Sequence, residues 1–297
     1  MSTVLSSDSR ALVEDDVPVV RPKRFRWVRK HPTLLIGLLL LLLMAALSLA
    51  APWLATHDPQ DIDPLARMQG ASAEHYFGTD AMGRDVFSRA LWGGRISMIV
   101  AISVAVMTTV LGVLLGMVAG FVRWADGFIM RVMDGLMAIP GILLAIALMA
   151  VTKGSLLTVI VAITIPEVPR VVRLVRSLSL TLREQLYVEA AYSVGTRLPV
   201  ILWRHVLPNM LAPLIVQATF IAASAVLIEA SLSFLGVGIP AQTPTWGNMM
   251  AEGRNFVAVA FHIILYPGIL LATTVLAINL LGDGLRDALD PRLSRQL

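Results

Sequence analysis

The sequence predicts an all-α protein that crosses a membrane several times, and three observations support that fold class. Of its 297 residues, 57% are hydrophobic and only 15% are charged, whereas about a quarter of the residues of soluble domains are charged. The apolar residues form six runs, separated by polar segments that contain glycine and proline. The alternation of polar and apolar residues that a β-barrel requires is absent. We therefore expect a polytopic membrane protein with six transmembrane helices.

The six runs are near or above the length of about 20 residues that a helix needs to cross about 30 Å of hydrocarbon. They lie at 33–54, 97–122, 135–151, 156–172, 210–234 and 257–281. The fourth run is the weakest candidate, because it is short and contains Pro166, Glu167 and Pro169.

The first run allows two interpretations. A signal peptide has a short apolar stretch that ends in small residues, and SLAAP at 48–52 would suit a cleavage site. The run at 33–54 is long enough to cross the bilayer, however, and it begins more than thirty residues into the chain. We favour a retained anchor helix.

The distribution of lysine and arginine predicts that both termini lie in the cytoplasm. With that orientation, eighteen of these residues fall in cytoplasmic segments and six in outer segments, as the positive-inside rule requires. The predicted organisation is a basic tail at 1–32, the first helix at 33–54, an extracytoplasmic loop at 55–96, a transmembrane core at 97–282 and a cytoplasmic tail at 283–297. Within the core, a cytoplasmic loop is expected at 176–209 and an extracytoplasmic loop at 236–256.

Three glycines in the second run, Gly112, Gly116 and Gly120, recur at intervals of four residues. They lie on one helix face, where the lack of a side chain lets a second helix approach closely. This face predicts a tightly packed bundle and does not by itself indicate a substrate site.

The stretch EAAYSVGTRLPVILWRHVLPN at 189–209 interrupts two apolar runs with charges, a glycine and prolines. The residues before Gly195 have helical spacing, with Leu186, Ala190 and Val194 on one face, and Gly195 is a natural helix stop. A second short helix is expected at 200–207. The pattern alone is compatible with a helix that rests on the inner leaflet and with one that docks into a groove of a partner.

The same stretch resembles the EAA loop of ABC importer permeases. The matching residues are Glu189, Ala190, Ala191, Gly195 and the closing Val206-Leu207-Pro208. Three further stretches are similar to the dipeptide/oligopeptide (and nickel) permease group, in its second-permease type: HYFGTDAMGRDVFSRALWGGRIS at 75–97, ASLSFLGVGIPAQTPTWGNMMAEGR at 230–254 and LLGDGLRDALDPRL at 280–293. One departure is IPEVPRVVR at 165–173, where the family usually has an aromatic residue before the proline.

The resemblance implies the type I ABC importer permease fold and a non-catalytic permease subunit in the bacterial plasma membrane. The loop at 176–209 would then be the coupling loop, whose helix docks on an ATPase, with Glu189, Ala190, Ala191, Gly195, Arg204 and Pro208 as the coupling residues. The implied partners are a homologous second permease, two ATP-binding cassette ATPases, an extracytoplasmic solute-binding protein and membrane lipid. The chain has no G-x-x-x-x-G-K-[ST] motif, so ATP would be bound by the partner subunits and this chain would need no cofactor.

Two acidic residues inside apolar runs, Glu229 and Glu167, are candidates for the translocation path or a gate, because an acid in a membrane is costly and usually faces a cavity or the bundle interior. The alternative for Glu229 is a side chain that reaches water, because the residue lies close to the outer end of its run. Asp80, Arg84 and Asp85 in the outer loop are expected either to form ion pairs with each other or to meet a solute-binding protein, and we favour ion pairing within the loop. His262 is expected to hydrogen-bond another helix.

Several other functions are disfavoured. There is no cysteine, and the five histidines show no pair at ligand spacing, so we predict no metal site. No cluster of serine, histidine and acidic residues indicates a catalytic site, and the basic residues suit membrane orientation better than nucleic-acid binding. A stand-alone secondary transporter would show inverted repeats and acids at mid-membrane, which we do not find. Within the permease group, nickel or glutathione is an alternative to di- or oligopeptides as the substrate.

Overall fold

The computed structural model describes residues 32–152 and 154–289. The predicted tail at 1–32 lies outside the described residues except for Pro32, whereas 283–289 of the predicted tail at 283–297 are described and belong to the last helix, which ends at Leu289. Within those residues, the elements are α1 (Pro32–Leu49), α2 (Ala51–Leu54), α3 (Val86–Phe121), α4 (Arg123–Met137), α5 (Gly141–Val151), α6 (Leu156–Arg183), α7 (Leu186–Ser193), α8 (Leu198–Ile201), a π-helical segment (Leu202–Val206), α9 (Leu207–Phe234), α10 (Trp246–Gly253), a 3₁₀ turn (Arg254–Phe256) and α11 (His262–Leu289).

The all-α prediction is confirmed, because the only β-type pairing in the described residues is an isolated bridge between Thr79 and Asp85. Side chains define where three of the helices begin. Asp85 accepts the backbone N–H of Ser88 at the start of α3 at 2.7 Å, Ser155 caps α6 in a capping box, and Thr245 caps α10. Each cap satisfies a backbone donor that the first turn of a helix leaves free.

The bundle is organised around α3, which is 36 residues long and therefore spans about 54 Å. Its most extensive contact is with α6, and it also packs against α9, α1 and α4. On the other side, α11 packs along α1 and α9. Buried residues of α3, α6 and α9, among them Val104, Ile163 and Ile221, form the largest apolar core of the described residues.

The glycine face of α3 lies against α6, as the sequence predicts. A Cβ atom at Gly112, Gly116 or Gly120 would overlap Val171, Val175 or Ser179 of α6, in that order. The two backbones can approach this closely only because these three positions have no side chain. Lipid gives apolar helices no hydrophobic reason to associate, so such close van der Waals packing is what holds them together.

The outer surface of the bundle is apolar while its contacts use small residues, which is the opposite of a soluble protein. Leu39 on α1 and Ile102 on α3 are each 64% exposed. By contrast, Gly37 of α1 lies on the backbone of Leu281, and Gly284 of α11 lies on the backbone of Leu34. This distribution is what a hydrocarbon solvent favours.

The number of spans is less regular than the sequence predicts. Among the described residues, four helices are long and apolar enough to cross a membrane: α1, α3, α11, and the continuous helix formed by α8, the π-helical segment and α9. The predicted span at 135–151 is not one helix, because α4 and α5 meet at an angle of 88° at Ala138–Pro140, and this bent pair gives a fifth candidate. The predicted fourth span lies in α6, whose apolar stretch contains Glu167, Arg170 and Arg173.

The contact between α3 and α6 predicts that a single methyl group destabilises the protein at one glycine and not at another. We expect Gly116→Ala to cost about 1–3 kcal/mol, because the new Cβ overlaps Val175 in a packed interface. Gly127→Ala, in α4, is the matched control: nothing lies near its Cβ position, so better helix propensity should stabilise it by up to about 1 kcal/mol. Thermal unfolding of the purified variants in detergent measures both effects, and equal midpoints would contradict this packing.

Candidate coupling segment and buried acidic sites

The candidate coupling segment, residues 184–209, begins where α6 ends at Arg183. Its first helix, α7, is two turns long and is held against the bundle by Val188, which is fully buried, and Ala191. These two residues are three positions apart and so lie on one helix face. The other side chains of α7 are exposed, including Leu186, Tyr187, Glu189 and Ala190.

Gly195 ends α7 in a Schellman motif. Its φ angle is +77°, and the N–H of Thr196 donates to the carbonyl of Ala191 at 3.0 Å while the N–H of Gly195 donates to the carbonyl of Tyr192 at 2.9 Å. Glycine is favoured there because a side chain makes this left-handed conformation costly. The predicted role of Gly195 as a helix stop is thus confirmed.

The second half of the segment leads directly into α9. The predicted second helix at 200–207 begins slightly earlier, at Leu198, and passes through the π-helical segment into α9 without interruption. Ile201 and Val206 are fully buried and fix this half to the bundle. Arg204 and Pro208 are exposed. The segment is therefore anchored to the membrane bundle at both ends.

The exposed surface of the segment is mixed in character. Leu186 and Val194 are each 81% exposed and lie on the same side of α7 as Ala190. The carboxylate of Glu189 makes no hydrogen bond or ion pair with any residue in the described ranges. Ala191 does not belong to this surface, although it is adjacent to Ala190 in the sequence, because its side chain faces the bundle.

Glu229 on α9 is fully buried among hydroxyl groups. Ser233 donates to its Oε1 atom at 2.8 Å and Ser97 of α3 donates to its Oε2 atom at 3.3 Å. Thr245, which caps α10, is a third hydrogen-bond partner. The suggestion that Glu229 reaches water is therefore wrong: its carboxyl group connects α3, α9 and the start of α10.

Glu167 on α6 occupies a different place and has different partners. Arg170 Nη1 lies 3.2 Å from its Oε2 atom, and Ser224 of α9 donates to Oε1 at 3.4 Å. The side chain is 5% exposed, whereas that of Arg170 is 59% exposed. Pro166 and Pro169 flank Glu167, yet α6 continues through both. The two predicted acidic candidates thus lie at separate positions along α9: Glu229 belongs to this helix, and Glu167 contacts it at Ser224.

A buried network of two cations and two anions joins the loop between α2 and α3 to α3 and α10. Arg84 donates to Asp80 at 2.7 Å and to Glu252 of α10 at 2.6 Å, and Arg89 of α3 donates to Glu252 at 3.2 Å. Burial raises the pKa of Glu252 above its ordinary value, although the guanidinium groups of Arg89 and Arg84 act to lower it. The predicted pairing of Arg84 with Asp80 is confirmed, and the network connects the loop to α10.

Asp85 does not join that network. It caps α3, and its Oδ1 atom lies 2.9 Å from Nδ1 of His75.

The prediction that His262 hydrogen-bonds another helix is wrong. Its Nε2 atom donates to the backbone carbonyl of Thr79 in the loop at 3.0 Å. The first turn of α11 is thereby connected to the loop rather than to a neighbouring helix.

Two sets of functional residues are not apparent from the sequence. Glu252 bridges two arginines from more than 160 positions away, and no local pattern marks it. Arg176 of α6 binds both carboxylate oxygens of Asp126 on α4, at 2.5 and 2.7 Å, and Arg173 binds Asp134 at 2.7 Å. These pairs hold α4 beside the part of α6 that leads into the coupling segment.

Comparison with protein families assigns most of the chain. Residues 109–295 match the model of the binding-protein-dependent transport system inner membrane component. Residues 24–71 match the N-terminal transmembrane domain of oligopeptide transport permease C. Together the two matches include the coupling segment, both buried acids and the helices that hold them.

Similar proteins extend over nearly the whole chain. A probable peptide ABC transporter permease of Sinorhizobium fredii is 54% identical over 271 residues, which cover 91% of this chain and 93% of that protein. A dipeptide transport system permease of Alkalihalophilus pseudofirmus is 41% identical (94% and 93% covered). A glutathione transport system permease of Salmonella paratyphi A is 43% identical (93% and 95% covered). The chain belongs to the family of binding-protein-dependent transport system inner membrane components, as an ABC transporter permease of the dipeptide/oligopeptide group in the bacterial plasma membrane.

Proposed function

We propose that the chain forms one half of the translocation pathway of an ABC importer and that residues 184–209 couple it to the ATPase subunits. A homologous permease supplies the other half, two ATPases hydrolyse ATP, and an extracytoplasmic binding protein delivers the solute. The proposal includes six membrane spans and places both termini in the cytoplasm. The spans are α1, α3, the bent pair formed by α4 and α5, then α6, α9 and α11. The chain itself carries out no chemical step.

The observation that carries the proposal is the way the coupling segment is built. Its buried residues Val188 and Ile201 fix it to the bundle, while Glu189 and Ala190 face outward. A segment attached to α6 at one end and to α9 at the other transmits a displacement to both helices. ATP-driven closure of the ATPase pair would move the docked segment and thereby rotate α6 and α9 between inward-open and outward-open states.

The proposed substrates are dipeptides, oligopeptides or similar small solutes. The relatives named for peptide and for glutathione transport support this class, since glutathione is itself a small peptide. The substrate is identified by measuring uptake into proteoliposomes that contain the complete complex and its binding protein. Labelled dipeptide, labelled glutathione and nickel are supplied in separate experiments. A stand-alone secondary transporter would require uptake driven by a proton gradient without ATP.

The exposed carboxylate of Glu189 predicts a loss of ATPase binding when its charge is reversed. We expect Glu189→Arg to weaken retention of the ATPases by about 2 kcal/mol, roughly thirtyfold. The arginine would face the group of the ATPase that the carboxylate binds, and it would repel that group if the group is a cation or leave it without a partner if it is a neutral donor. Glu74→Arg is the matched control, since Glu74 is also exposed but lies in the loop before α3. Co-purification with the cognate ATPases in detergent measures retention. Equal retention in the two variants would exclude Glu189 from the interface.

Glu229 is proposed to act in a gate, because its hydrogen bonds connect three helices that must move relative to one another. Glu229→Ala would leave the hydroxyls of Ser97 and Ser233 without their acceptor in a buried site, and we expect a destabilisation of about 1–3 kcal/mol. Glu229→Gln retains the shape and should retain more of the stability. Thermal unfolding and uptake rates are measured together. A changed Michaelis constant for the substrate with unchanged stability would instead assign Glu229 to the translocation path.

A further inference from the structure

Three side chains with metal-binding atoms meet beside the first turn of α3. His57 follows α2, His75 lies in the loop and Asp85 caps α3. One ligand atom from each of them lies within 4.8 Å of the others. We propose that His57, His75 and Asp85 form a binding site for a first-row divalent cation such as Zn²⁺, which fastens the loop to α3.

The donor set and its spacing suit this ion. Two imidazole nitrogens and one carboxylate oxygen are a common three-ligand set for zinc, with water in the fourth position. Zinc bonds of about 2.1 Å separate the ligands of a tetrahedral site by about 3.4 Å. Nδ1 of His75 and Oδ1 of Asp85 are 2.9 Å apart, and the largest separation within the cluster is below 4.8 Å. Shifts of less than about 1 Å in each ligand atom therefore complete the site.

Hydrogen bonds outside the cluster already orient two of its ligands. Thr56 donates its hydroxyl hydrogen to Oδ2 of Asp85 at 3.3 Å, so its oxygen accepts from Nδ1 of His57 at 3.0 Å. With Nδ1 protonated, neutral His57 would bind a cation through Nε2. The N–H of Ser88 also binds Oδ2 of Asp85, which leaves Oδ1 for the ion. Such outer partners fix the orientation of metal ligands in proteins.

The three ligands differ in their exposure to solvent. The side chain of Asp85 is fully buried and that of His75 is 11% exposed, whereas His57 is partly exposed. A cation and its remaining water would therefore enter past His57. The neighbouring cations Arg84 and Arg89 are already compensated by Asp80 and Glu252, so they oppose the ion less than unpaired charges would.

Without an ion, the same residues form a hydrogen-bonded His75–Asp85 pair that caps α3, with the ring of His57 packed 4.7 Å from that of His75. Metal binding would place the cation between Nδ1 of His75 and Oδ1 of Asp85, and the proton on Nδ1 of neutral His75 would move to Nε2 by exchange with solvent.

The test is a titration of the full chain in nanodiscs with Co²⁺, whose visible absorption reports tetrahedral ligation, followed by displacement with Zn²⁺. The chain is purified through a tag without histidine and stripped of metal. We expect one ion per chain for the wild type and for the control His205→Ala, which removes a histidine of the coupling segment. His57→Ala and His57→Gln should each bind at least tenfold more weakly, and Mg²⁺ and Ca²⁺ should not compete.

The thermal midpoint without metal shows whether each variant is folded, and Zn²⁺ should raise this midpoint in the wild type and in His205→Ala only. Binding of equal strength in the folded His57 variants, or no Co²⁺ spectrum in the wild type, would overturn the proposal. In either of these cases His75 and Asp85 serve only as a helix cap.

Discussion

The close contact between α3 and α6 is the constraint on which the rest of the structure depends. The two backbones lie so near each other at Gly112, Gly116 and Gly120 that no side chain fits between them. Because the lipid does not drive apolar helices together, this packing is what fixes the position of α6. All that α6 carries, including Glu167 and the connection to the coupling segment, is positioned by that contact.

The ends of the bundle are built from polar contacts instead. On the side of the coupling segment, Asp126 and Asp134 of α4 bind Arg176 and Arg173 of α6, and these pairs connect the second half of α6 to α4. At the opposite end of α3, Glu252 joins the loop to α10. The middle of the bundle therefore relies on shape and its ends on charge, which suits a protein whose ends contact water and whose middle contacts lipid.

Residues whose role depends on local backbone geometry could be predicted from the sequence. The glycine face of α3 follows from a repeat of four residues, and Gly195 is recognised as a helix stop because its conformation excludes other residues. The features that could not be predicted depend on contacts between distant parts of the chain. Glu229 is buried because Ser97 and Thr245 cover it, and the spacing of the histidines did not indicate that the loop brings His57 to His75. The bend at Ala138–Pro140 was missed because the run at 135–151 is uniformly apolar on both sides of Pro140.

Contact between the exposed face of α7 and an ATPase subunit can be measured directly, because the chain contains no cysteine. A single thiol is introduced by Ala190→Cys or by Ala191→Cys and coupled to a maleimide photo-crosslinker in the assembled complex. We predict a cross-link to the ATPase from position 190, which is exposed, and little or none from position 191, which is 9% exposed and faces the bundle. If a labelled thiol at position 190 forms no cross-link to the ATPase, α7 does not dock there through its exposed face.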